Sequence, residues 1–167
     1  MLTWGDSVNS IRPQIFRILK ESATSGESHW SHQALMNKAN TLMREISQKT
    51  LCIEETGTAS SVVSTAEYTY PSLCIDIYKI LYNNKFLDPI TTNELDYMAR
   101  LGKIAEQWRA TDGTPTKWWK RANKYGLYPR PDTALANGIT SYHWIFATDL
   151  SADADTPFNG LVYMDGF

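Results

Sequence analysis

The hydrophobic period changes once along this chain, near Leu51, and that switch limits what the polypeptide can build. Before it, apolar residues recur at helical spacing: Val8, Ile11, Ile15, Ile18 and Leu19 in one stretch, then Leu35, Ala39, Leu42, Met43 and Ile46 in the next. After it, short alternating runs bounded by Gly, Pro and Asn take over. Helices followed by strands describe an α+β chain; a doubly wound fold would interleave them. The expected architecture is an N-terminal helix pair over residues 1–50. A mostly antiparallel, β-sandwich-like region follows over residues 51–167, with one short inserted helix and a C-terminal tail, all in one compact domain. A chain of 167 residues buries a core without disulfide or metal staples.

Local chemistry places the elements. Asp6 or Ser7 is an N-cap for the first helix, which either kinks at Pro13 or starts near Ser10 with Pro13 in its first turn. Residues 23–28 are a loop by composition. Ser31 is the natural N-cap of a second helix running from about His32 to Lys49, with Trp30 before it as a staple. Strand candidates are 52–56, 61–63 and 67–71. Residues 75–87 form a hairpin turning at Asn83-Asn84-Lys85, because asparagine tolerates the positive φ such turns demand. Thr91 or Thr92 caps a short helix through Glu94, Leu95, Met98 and Leu101, and Trp108 falls in the loop beyond it. Residues 113–132 read as a Thr-Pro-Thr elbow, a strand with Trp118 and Trp119, a tight turn, and a return strand stopped by Pro129 and Pro131. A last strand is expected over 139–150, with Tyr142, Trp144 and Phe146 on one face and Ser141, His143, Ile145 and Ala147 on the other.

These residues offer little chemistry. Net charge is −2 with acids and bases interspersed, so no basic block offers duplex phosphates a continuous footprint. Cys52 and Cys74 stand outside any CxxC pair and read as reduced, partly buried thiols. The opening Met-Leu-Thr-Trp-Gly-Asp lacks the charged and apolar regions of a signal peptide, and no apolar run nears the roughly 20 residues that span a bilayer. A soluble protein made in a cytoplasm is expected. His29 and His32 form a pair at a helix start facing solvent, and His143 is a satisfied, partly buried strand histidine. Asp149, Asp153 and Asp155 miss the calcium-loop template, having no glycine at the sharp turn and Gly160 where the bidentate Glu belongs. A loop with Asp155 or Thr156 as cap and Pro157 at a first helical position explains them better. Glu54 and Glu55 point to opposite faces of a strand and make no acid/base pair. The expectation is a protein that is not an enzyme, with no catalytic residue, cofactor or metal. A small hydrolase would have to be built around His143 and the 149–155 loop.

Two features point to contact. The tryptophans and tyrosines lie mostly in alternating strands where sheet core is the default, though exposed ones would serve a carbohydrate- or receptor-binding β module. The tail carries Phe158, Leu161, Val162, Tyr163, Met164 and Phe167, apolar groups suited to a subunit or partner interface or to folding back on the sheet.

The order of short signatures then matters. Trp30-Ser31 at a helix start leads to Glu67-Tyr68-Thr69-Tyr70-Pro71, the 75–87 hairpin, and Asn93-Glu94-Leu95. Gly113-Thr114-Pro115-Thr116, the Trp pair, Leu127-Tyr128-Pro129-Arg130-Pro131-Asp132 and finally 153–157 complete it. In this order and spacing the chain resembles the head-to-tail adaptor family of tailed bacteriophages, the neck proteins, over nearly its whole length. The resemblance implies a structural virion protein in a dodecameric homo-oligomeric ring beneath the portal protein, joining capsid to a tail or nozzle protein. DNA would pass through the ring's channel without sequence-specific binding, and the protein would be made in the host bacterial cytoplasm.

Overall fold

The computed structural model describes residues 11–19, 31–152 and 154–158. The chain divides into two compact units, residues 1–54 with 145–167, and residues 55–144. It is mixed α+β, with three α-helices and several antiparallel strand pairs among the described residues.

The first unit holds α1 (Ile11–Leu19) and α2 (His32–Thr50). Pro13 falls in the first turn of α1, where its missing N–H costs nothing. Ser31 caps α2, its Oγ accepting from Ala34 N at 3.1 Å, and Leu51 closes the helix in the left-handed region at φ 49° with its N–H on Ser47 O. The buried face of α2 is Met36, Met43 and Ser47. Leu42 and Ile46, expected in that stripe, are 44% and 45% exposed. The helix is turned by about a fifth of a revolution from the expected orientation. The cause is polar. Residues 147–150 run beside α2, with Ala147 N donating to Ser47 Oγ at 3.1 Å. Asn40 donates to Leu150 O at 3.0 Å and accepts from Leu150 N at 2.8 Å. Arg44 forks onto Asp149 at 2.9 and 2.7 Å. Around this seam Met36, Met43, Ile53, Ala147 and Leu150 make a core, with Ile11, Ile15, Leu35, Ala39 and Phe158 packed on it.

The second unit carries β1 (Glu54–Ala59), β2 (Glu67–Thr69), β3 (Cys74–Tyr82), β4 (Lys85–Phe86) and β5 (Asp88–Pro89), then α3 (Thr92–Arg100). After a 3-10 turn at Trp108–Ala110 come β6 (Asp112–Gly113), β7 (Lys117–Arg121), β8 (Lys124–Tyr128), β9 (Arg130–Pro131) and β10 (Ile139–Ile145). β1 and β10 each end one residue inside the first unit. One sheet runs β1-β10-β3-β4, a second β2-β8-β7-β5, and β6 pairs with β9. Residues 61–63 are not a strand: Val62 and Val63 lie exposed in a turn, because Ser61 turns inward to hold Leu135 N and Thr133 O at 2.9 and 3.0 Å. The last strand stops at Ile145, five residues short of the expected Leu150, since the chain beyond it bonds to α2 instead.

The β3–β4 hairpin forms where local chemistry demands. Asn83 and Asn84 sit at φ 47° and 62° in the two-residue turn between β3 and β4. Thr91 caps α3 with a capping box: its Oγ1 accepts from Glu94 N at 3.1 Å while Glu94 Oε2 accepts from Thr91 N at 2.8 Å. The two four-stranded sheets share a core of Ile77, Ile80, Tyr82 and Ile139 from one, and Trp118, Tyr125 and Leu127 from the other. The opposite side of the second sheet, Trp119 and Tyr128, is closed by Leu95 of α3 and by Trp108. Trp108 meets Trp119 and Tyr128 edge-on at 6.1 and 6.0 Å, and its Nε1 donates to Asp96 at 2.7 Å. Trp119 lies flat over Gly126 on the neighbouring strand, where a Cβ would come within 2.1 Å of the indole. Glycine is required there by that approach. The unit is therefore three-layered: sheet, sheet, helix.

Candidate interaction surface

The outer face of the first sheet has no such cover within its unit. Ile77 and Ile80 both enter the core although three apart, so the in/out alternation of β3 slips by one between them and leaves Tyr78 and Lys79 both outside. Tyr78 stacks on Trp144 at 5.1 Å and 28°, with Tyr142 at 6.5 Å. Lys79 Nζ sits 4.1 Å above the Phe86 ring and 5.0 Å from Tyr142. Phe86, opposite Leu81 and just past the tight turn, is 65% exposed, and Tyr78 is 39% exposed. Aromatic rings locked by stacking and by a cation, yet open to solvent, have the composition of an interface centre.

A second exposed apolar pair lies on α3. Tyr97 and Leu101, one turn apart, are 62% and 50% exposed, while Leu95 on the other side of the helix is fully buried. Another side of the helix borders a hollow of about 540 Å³ lined by Asp96, Ala99, Arg100, Gly102, Ile104 and Glu106. Asp96 is held by Trp108 and by Arg109 at 3.4 Å.

Of the residues expected at an interface, Phe158 is half-buried against the core around α2, and Leu161, Val162, Tyr163, Met164 and Phe167 lie outside the described residues. His29 lies outside them too, while His32 at the start of α2 meets Arg12 through Nδ1. His143 is fully buried, deeper than expected, and its Nε2 has no hydrogen bond. Ser141 Oγ is 3.5 Å from His143 Nδ1, and Glu55 Oε2 is 3.8 Å from Nε2. The trio imitates a nucleophile, base and carboxylate. The spacings exceed catalytic hydrogen bonds, and the serine and imidazole point into the sheet core where no substrate reaches. Asp155 turns onto its own loop, accepting from Ser151 N and Ala152 N at 2.6 and 2.7 Å, which holds its carboxyl below the usual range. Pro157 stands in a turn, and any helix after it falls outside the described residues. Cys52 and Cys74 are free and half-buried, and burial pushes the Cys74 thiol up to about 11. Among the described residues no His, Cys, Asp and Glu cluster suits a metal ion, and no helix is long and apolar enough to cross a membrane.

The family model of the SU10 adaptor protein matches residues 3–166. The chain belongs to this family. It is thus a phage head-to-tail adaptor, a structural component of the virion, as the order of its motifs implied. No curated protein matches the adaptor's sequence. The aromatics of its exterior were misjudged from sequence. On β10 the buried side is Ile139, Ser141 and His143, and the side with Tyr142 and Trp144 is the outer one. The alternation was visible, but which side the second sheet covers is not a property of one strand.

Proposed function

We propose that this adaptor works as a homo-oligomeric ring of about twelve copies beneath the portal protein, closed around the channel through which DNA leaves the capsid. One rim of the ring meets the portal and the other a tail or nozzle protein. The family match across residues 3–166 carries this reading, because adaptors join head to tail. The distribution of charge supports it: net charge is −2 with no basic stripe, as suits a wall that DNA slides past without being gripped. α1 and α2 act as an N-terminal helix pair, and the copies are made in the host bacterial cytoplasm before joining the capsid. Residues 158–167, with Leu161, Val162, Tyr163, Met164 and Phe167, dock on a neighbouring subunit.

Electron microscopy of purified particles tests the ring: density of this size between portal and tail is expected, and its absence there would sink the proposal. Removal of residues 158–167 should leave a folded monomer that no longer enters particles. Normal incorporation of the shortened protein would show that this segment is not an interface.

A further inference from the structure

A ring of identical copies needs two different surfaces on each, one meeting the other on the next copy; a single self-complementary patch stops at a dimer. Besides the exposed Val62 and Val63 of a turn, the second unit exposes apolar clusters on opposite sides of its three layers. One is the aromatic face of the first sheet, with Phe86 standing out beside a two-residue turn. The other is the α3 surface, where Tyr97 and Leu101 are exposed and their chain neighbours Asp96, Arg100 and Gly102 line a hollow over Ala99 and Ile104. We infer that Phe86 and Tyr78 of one copy seat against Tyr97, Leu101 and the adjoining hollow of the next, an inference that rests on the ring reading above.

Shape and charge agree with this pairing. Phe86 is a knob and the α3 side holds a hollow of about 540 Å³, ample for one ring. Lys79 and Lys85 flank the knob, and the hollow's lining carries Glu106 beside Arg100 together with Asp96, which Arg109 already holds, so the charge pairing left to make is Lys85 with Glu106. Lys85 and Glu106 have no ion-pair partner among the described residues. Area explains why the contact needs a ring. A large aromatic offers about 150–250 Å². At their exposures Phe86 and Tyr78 together present on the order of 200 Å² against the roughly 800 Å² per partner of a stable pair. One such contact makes a hot spot without holding two free copies together, and closure on the portal uses both surfaces of every copy at once.

Disulfide trapping tests the pairing on portal-bound complexes, with Cys52→Ser and Cys74→Ser removing the native thiols. Phe86→Cys and Leu101→Cys change exposed positions, and a thermal melt of each variant establishes that it folds. The chain carrying both should give a ladder of covalent oligomers on a non-reducing gel, while each alone gives none. Dimers from Phe86→Cys alone would mean a self-complementary contact and overturn the inference. So would absence of any ladder on complexes whose ring is visible by electron microscopy. If no ring is visible with the unmodified chain, the ring reading itself has failed.

Discussion

The two sheets of the second unit share one core but treat their far sides in opposite ways. The second sheet turns Trp119 and Tyr128 toward α3 and Trp108, and a glycine is placed beneath the indole to let the layers close. The first sheet turns Tyr78, Phe86, Tyr142 and Trp144 outward, with Lys79 lying across Phe86 and Tyr142. The same kinds of side chain are therefore buried on one side and open to solvent on the other. What separates the two sides is cover, since an aromatic ring gains its stabilisation only when water is removed from it. The contact proposed above assigns cover of the second set to the next copy.

Substitutions on the two sides should therefore differ in what they damage. The largest loss is expected from Leu95→Ala, which empties a fully buried site between α3 and Trp119, at about 3 kcal/mol by urea unfolding. A loss under about 1 kcal/mol would mean that α3 does not seal this side. Gly126→Ala should cost about 2 kcal/mol, because the indole must leave its place over β8; a neutral result breaks the contrast from the tight side. Thr91→Ala removes half of the capping box and should cost about 1 kcal/mol, read as a lower melting temperature.

Acid sharpens the comparison further. Hydrogen bonds from Thr91 hold the Glu94 carboxyl below its usual range, and Arg130 at 2.8 Å does the same for Asp112. Both therefore take up protons more readily unfolded than folded. Their contribution is present above the ordinary carboxylate value near about pH 4 and is lost as pH falls through the lower folded value. The urea midpoint should drop in that window, with Glu94→Gln flattening the drop. Smallest of all is the effect of Phe86→Ser on stability, under about 0.5 kcal/mol, because the ring is 65% exposed already. That variant should fold normally and fail in particle assembly; a large fall in its melting temperature would show that the outer face is structural after all.

Legibility followed the range of the interactions. Ser31, Thr91 with Glu94, and Asn83-Asn84 were readable because each acts on backbone within four residues. The strand pair around Trp118 and Leu127 was equally plain, its ends marked by a turn and by prolines. What failed involved partners far along the chain. The orientation of α2 depends on Ser47 and Asn40 holding residues 147 and 150, about a hundred positions away. The outward side of β10 was missed because Tyr142 and Trp144 look like core by type, and which residues of β3 are buried shows only in the folded chain.

The sequence by itself determined the helices, the two hairpins and their order, since periodicity, caps and turn residues act over a few bonds, and the order of its motifs also marked the family. Only the tertiary structure decided which side of each element is wet, because burial belongs to pairs of surfaces and no single segment contains both. Ser141 and His143 went inside and Phe86 stayed outside for that reason.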